Sequence, residues 1–274
     1  MLPLLMEKQL FFSHTLNEIG TGEHARSLAH AFCTAGSCTF LFNGMEHTMQ
    51  KGDLLIVRKS NKVELVQPSA NFAVSVIYAT PEFIALSSPP QSNYGSKGQV
   101  ALYLDPVMHL TEEMQRTCQQ DFDLVEQRLR RSESQFYHQM LMAAMQLTIL
   151  DFFDFHAELY KEDDVSTQNA SIMFRFIELL EAGEIFKSRE VAHYADRLFI
   201  TAKYLSEVTN KVSGHSANYW IDRYTMAEIN RLLRDKSLTF VEISDRLQFS
   251  SPAYFSRYVQ QHFGMSPSAF RGDK

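Results

Sequence analysis

The sequence predicts an α+β chain: a strand-rich N-terminal half, then helices to the C-terminus. Three observations predict it. Short apolar runs separated by Gly and Asn-Gly turns fill the chain to about Pro106. From Thr111 the apolar spacing changes to three and four residues. Between Ile172 and Arg271 the plan of short helix, tight turn and amphipathic helix occurs twice.

The strands come first. Leu28–Thr34 is an apolar-rich run closed by Gly36, and Cys38–Phe42 follows with Phe40 and Phe42 on one face. Asn43-Gly44 is a strong hairpin signal because both residues tolerate positive φ. Glu46–Met49, a turn at Lys51-Gly52-Asp53, Leu54–Val57, Lys62–Val66 and Phe72–Tyr78 continue the series. Many short strands between turns predict a barrel or a sandwich over residues 1–110.

Helices follow in 111–160. Thr111 precedes Glu112 and Glu113 as a cap, and Phe122, Val125 and Leu129 share a face. A second helix spans about Glu133 to Tyr160, with Met140, Leu141, Ala144, Leu147 and Leu150 on one side and Phe136, Met145, Ile149, Phe152 and Phe153 elsewhere. A helix this apolar is buried on more than one face. One face is expected to pack on the strands and another on a second chain, making this a dimerisation segment. Residues 161–169 are polar and charged and are expected to be a linker to a domain at 170–274.

Composition narrows the function classes. The chain is 45% hydrophobic, which supplies a core, and has no run of about 18 apolar residues to span a membrane. Its start lacks a basic region and a small-residue cleavage site, so a cytoplasmic location is expected. Three cysteines do not make a disulfide framework. Cys33 and Cys38 could meet across the Ala35-Gly36 turn as a redox pair, or be small buried hydrophobes. The net charge of −6 is unevenly spread: residues 1–169 hold 12 Lys+Arg and 20 Asp+Glu, residues 170–274 hold 14 and 12. Only the C-terminal part suits a polyanion, and it must do so by local clustering.

In the first C-terminal unit, Ser188 is the expected cap of a helix with Val191, Ala192, Ala195 and Leu198, and Phe199-Ile200 the turn. Thr201 caps the next helix, with Tyr204, Leu205, Val208 and Val212 at core spacing and Gly214 at its end. In the second, Thr239 caps a helix with Val241, Ile243 and Leu247, and Phe249-Ser250 turn the chain. A helix from Pro252 with Phe255, Val259 and Phe263 then ends at Gly264. A long helix from about Ala217 to Asp235 separates the units. The polar faces offer Lys203, Ser206, Glu207, Asn210 and Lys211 in the first unit, with the cap Thr201 a further candidate contact, and Ser251, Tyr254, Arg257 and Gln260 in the second. Arg, Lys, Asn and Gln reach base edges, and Ser and Tyr hold phosphates.

The segment resembles the DNA-binding domain of the AraC/XylS family. The resemblance rests on Tyr204-Leu205-Ser206, Gly214 with Trp220-Ile221, Ala227 with Leu232-Leu233, and Glu242-Ile243. It continues through Phe249-Ser250-Ser251, Tyr254-Phe255-Ser256-Arg257, and Phe263-Gly264-Met265-Ser266-Pro267 with Phe270-Arg271. Gln248 stands where the family has glycine, and Ser244 where it has a small alanine, which bears on the second turn. The resemblance implies a sequence-specific transcription regulator, commonly an activator. Its two recognition helices would enter successive major grooves. Lys203, Ser206, Glu207, Ala253, Tyr254 and Arg257 match the family's contact positions. Glu207 is acidic where a basic residue is common.

The resemblance further implies a cupin-like β-barrel in the N-terminal half, a homodimer, RNA polymerase as a partner, and a small-molecule effector. His30, Phe32, Phe40 and Phe42 are the candidate lining of an effector pocket. A ligand-independent regulator is one alternative, and a metal-dependent cupin enzyme another. The enzyme lacks support: no His-x-His pair with a later Glu is present, and His24, His30 and His47 are isolated. No cofactor, metal or catalytic residue is expected.

Overall fold

The computed structural model describes residues 9–58, 60–88, 105–159 and 166–272. They form two compact units, with the boundary between residues 159 and 166. The expected linker at 161–169 is therefore described only from Ser166, which caps a helix; its first five residues lie outside the described ones.

The N-terminal unit is built from β1 (Leu10–Ser13), β2 (Leu28–Ala35), β3 (Ser37–Phe42), β4 (Met45–Gln50), β5 (Asp53–Val57), β6 (Val63–Pro68), β7 (Ala73–Ala79) and β8 (Val107–His109). Its helices are α1 (Pro81–Ser87), α2 (Glu112–Leu129) and α3 (Tyr137–Leu159). The strands make a five-stranded sheet in the order β1-β7-β2-β5-β8 and a three-stranded sheet in the order β4-β3-β6. Among the described residues no closed barrel forms. The pairs β1–β7, β2–β5, β2–β7, β3–β6 and β5–β8 are antiparallel. Asn43 and Gly44, both at positive φ (50° and 73°), turn β3 into β4 as their types predict.

Side chains of the large sheet alternate between two cores. Leu54, Ile56, Phe32 and Ile77 face α1, α2 and α3, together with Phe122, Leu141, Met145 and Phe152. Leu55, Val57, Ala31 and Val76 face the smaller sheet, with Phe40, Phe42, Cys33 and Cys38. The result is a two-sheet sandwich with helices laid over its outer face, and α2 and α3 share its core. Cys33 and Cys38 are buried free thiols, and burial pushes the Cys33 thiol up to about 11.

Three elements were not expected. β1 lies in the apolar start of the chain, and β8 has three residues, too few for a periodic pattern. α1 carried a signal that went unread: Thr80 accepts from the Phe83 N–H, and proline opens the helix.

The C-terminal unit holds α4 (Thr167–Glu181), α5 (Val191–Leu198), α6 (Ala202–Ser213), α7 (Ala217–Arg234), α8 (Phe240–Arg246), α9 (Pro252–Phe263) and α10 (Pro267–Arg271). Ser188 is not the cap of α5; Glu190 holds that position without a side-chain bond. Ser188 instead accepts from the Glu190 N–H with its hydroxyl, and from the Tyr194 hydroxyl with its carbonyl. The remaining expected caps are present. Thr111 accepts from Met114 N–H, Thr201 from Tyr204 N–H, and Thr239 forms a capping box with Glu242; Ser251, which was not expected to cap, accepts from Tyr254 N–H.

A candidate nucleic-acid interface

Two helix-turn-helix units repeat with a fifty-residue offset: Thr201 and Ser251 cap α6 and α9, Gly214 and Gly264 end them, and Ser216 and Ser266 cap the helices that follow. The turns use one hydrogen-bond scheme. The Phe199 N–H donates to Asp196 O and the Ile200 N–H to Ala195 O; the Gln248 N–H donates to Asp245 O and the Phe249 N–H to Ser244 O. Each scheme places a residue in the left-handed region, Phe199 at φ 59° and Gln248 at φ 51°. From the left-handed residue to the next cap is two residues in the first unit and three in the second. The family's glycine at position 248 is thus explained by backbone geometry, and glutamine adopts the same conformation.

The inner faces of α6 and α9 are core. Leu205, Val208 and Thr209 are buried on α6, and Phe255, Tyr258 and Val259 on α9. Ile229, Leu233, Ile243 and Leu247 pack with α9. The outer faces are free of the unit's own core. Lys203, Glu207, Asn210 and Lys211 are exposed along α6, with Ser206 half-buried at the margin. Lys203 Nζ lies 3.8 Å from Glu207 Oε1, a loose pair between exposed side chains. Such a pair contributes little, so both groups are available to a ligand. On α9, Ala253, Tyr254, Arg257 and Gln260 are exposed. Thr201 and Ser251 spend their hydroxyls on the caps, which presents the first-turn N–H groups outward.

The spacer α7 ties the units together. Tyr258 donates to Asp222 Oδ1 at 2.6 Å, which with burial raises its own phenol pKa. Trp220 Nε1 donates to Ser213 Oγ at 2.8 Å, joining α7 to the end of α6. Arg271 donates to Leu233 O and Asp235 O and lies over the Phe240 ring, so α10 clamps the end of α7. In front of α5, Glu184 is buried and accepts from Lys187 and His193; those bonds hold its carboxyl below the usual carboxylate range. The residue missed from the sequence is Arg189, which bonds the second turn; Phe199, expected in the first turn, stands there 89% exposed. Arg189 had no periodic signal, because it precedes a helix.

The four candidate pocket residues are not brought together. His30 and Phe32 face the helices; Phe40 and Phe42 face the other sheet. His30 stacks edge-on against Phe152, and burial pushes its imidazole down to about 4. Of the four, Phe32 alone borders an open groove of about 570 Å³ that also touches Lys51, Arg116, Gln115 and Gln119. Among the described residues no group of three or more His, Cys, Asp or Glu could hold a metal ion. No helix there is long and apolar enough to cross a membrane.

Residues 194–273 match the helix-turn-helix domain family. The chain is 27% identical over 77 residues to the regulatory protein PocR of Salmonella typhimurium, covering 28% of this chain and 25% of that one. It is 32% identical over 84 residues to the Msm operon regulatory protein of Streptococcus mutans, covering 31% and 30%. The chain thus matches less than a third of either relative's length. A structure of ToxT from Vibrio cholerae aligns over 97% of this chain and 98% of that one, at 14% identity and a TM-score of 0.42.

Proposed function

We propose that the C-terminal domain, which matches the helix-turn-helix domain family, is of the AraC type, and that the whole chain is a sequence-specific, cytoplasmic transcription regulator rather than an enzyme. The observation that carries the reading is the pair of exposed polar faces on α6 and α9, each backed by its own core. Arg257, Lys203, Asn210 and Gln260 are the base-reading candidates; Lys211, Ser206, Tyr254 and the first-turn amides after Thr201 and Ser251 suit phosphates. Glu207 is suited to cytosine N4, and Ala253 to a thymine methyl.

The partners follow from the same reading. Promoter DNA is the first and RNA polymerase the second, activation being the family's commoner mode. A second copy of the chain is the third. Phe136, Met140, Ala143, Leu147 and Leu150 fall at alternating spacings of four and three along the side of α3 away from the core; Phe136, Leu147 and Leu150 are 58%, 48% and 43% exposed. That is the spacing of a helix-pairing seam. Arg130 and Arg131 lie before one end, and exposed Asp154 and Glu158 at the other, so an antiparallel pair matches opposite charges. For a small-molecule effector, the groove beside Phe32, with Lys51 and Arg116 on its walls, is the better candidate than the cores that hold His30, Phe40 and Phe42.

The test is selection of bound duplexes from a random pool by the full chain, followed by gel shifts. Arg257→Ala is expected to weaken the selected site by about 1–3 kcal/mol and to relax one position of it. Unchanged affinity and preference would remove Arg257 from base readout.

A further inference from the structure

We propose that Arg189 is a positioning residue that sets the angle between α6 and α9, and so the base-pair spacing at which the two helices can read one duplex. Its backbone belongs to the first unit. Tyr194 is fully buried in α5, stacks edge-on against Phe176 of α4, and donates at 3.0 Å to the carbonyl of Ser188. That bond fixes the residue immediately before Arg189. The guanidinium belongs to the second unit. It donates to Leu247 O and Gln248 O, the carbonyls at the end of α8, and lies 3.9 Å from the centre of the Phe249 ring.

These partners need a cation and hold it. A helix end leaves its last carbonyls unsatisfied and carries partial negative charge. One of the two bonded carbonyls belongs to Gln248, the left-handed residue that creates the turn. Phe249 in turn packs on Tyr254, Phe255 and Tyr258, the inner and leading residues of α9. Tyr258 reaches Asp222 on the spacer helix. The connection therefore runs from the core of one unit, through one side chain, to the residues that aim the second recognition helix. The planar fork donates to both carbonyls while its face stacks on the ring, which a lysine cannot do. Besides Arg189, the units are joined through α7 and through Phe186, which packs against the core of the second unit.

The proposal rests on the reading that both helices serve one duplex, so one arm of the test does without DNA. Lys211→Cys and Gln261→Cys carry spin labels on α6 and α9; Cys33, Cys38 and Cys118 are buried and resist labelling. In the free full chain, Arg189→Gln is expected to widen and shift the inter-label distance distribution, and Arg189→Lys to do so partly, with helix content by circular dichroism unchanged. The second arm uses duplexes selected by the wild-type chain, with one base pair inserted between the two contacted blocks. The wild type is expected to discriminate against the insertion by about tenfold, the loss of one good base contact. Arg189→Gln is expected to lose that discrimination and to bind a single-block duplex as the wild type does.

An unchanged distance distribution in Arg189→Gln overturns the proposal, and so does intact spacing discrimination. Should Arg189→Gln fail to fold, Arg189→Lys decides alone on the same two readouts. Selection of only one block by the wild type would defeat the two-groove reading instead, and the distance measurement would still judge Arg189.

Discussion

Gln248 holds a left-handed backbone at the second turn, where a side chain costs about 1 kcal/mol relative to glycine. Its N–H is bonded to Asp245 O and its carbonyl to Arg189, so the conformation is enforced from both sides. Gln248→Gly is expected to raise stability by up to about 1 kcal/mol in urea unfolding, provided the added freedom of the unfolded chain does not cancel it. A loss of stability would mean that the side chain itself holds the turn.

Asp121 of α2 is 4% exposed and faces Asp151 of α3. Burial first, then the Asp151 charge, pushes its carboxyl up to about 7. Because the folded value lies above the unfolded one near 4, the folded state binds the extra proton. That contribution is fully present below about pH 4 and is lost as pH rises toward 7, the reverse of a salt-bridged aspartate. Asp121→Asn is expected to raise the melting temperature at pH 8, and to do so less at pH 5. Equal effects at both values would show that the pair does not titrate. His30, pushed down to about 4, acts in the opposite sense and loses its contribution as pH falls below 6.5.

At the scale of elements, local chemistry was legible where one rule decided it. Thr111, Thr201 and Thr239 as caps, Pro252 at the first turn of α9, Gly214 and Gly264 as stops, and Asn43-Gly44 as a hairpin each have a single good conformation. Ser188 is not the cap because a hydroxyl before a helix fits several local bonds, and it stands two residues before the cap position, Glu190. The burial pattern of α3 was legible only as a total. Two apolar sides were evident, yet the split differs: Leu141, Ala144, Met145, Ile149, Phe152 and Phe155 go inward, leaving Phe136, Leu147 and Leu150 outside. Which stripe meets the sheet depends on the docking of α2 and α3, a tertiary fact that periodicity does not carry. The outer stripe has its own consequence. Leu147→Asp is expected to convert a dimer to monomers in sedimentation without loss of helix content, since a buried unpaired charge at a pairing seam is strongly unfavourable. A dimer that persists would place the interface elsewhere.

At the scale of the molecule, the pocket residues show where sequence reading ends. His30, Phe32, Phe40 and Phe42 alternate along two strands as a shared lining would, but His30 and Phe32 lie on the helix-facing side of β2, while its other side, with Ala31 and Cys33, shares a core with Phe40 and Phe42, so the four divide between two cores. The exposed residues of the proposed reading faces are grouped locally: successive helix turns bring Lys203, Glu207 and Asn210 to one side of α6, and Ala253, Arg257 and Gln260 to one side of α9. What remained hidden was the brace between the units, since Arg189 and Leu247 lie far apart in the chain. Each C-terminal unit has its own core and both are tied to the spacer α7, so on the proposed reading they act as one reader with two contacts. Hydroxyl-radical footprinting of the full chain on its selected duplex tests this most directly. Two protected blocks, about one helical turn apart on the same face, are predicted. A single block, or blocks on opposite faces, would contradict it.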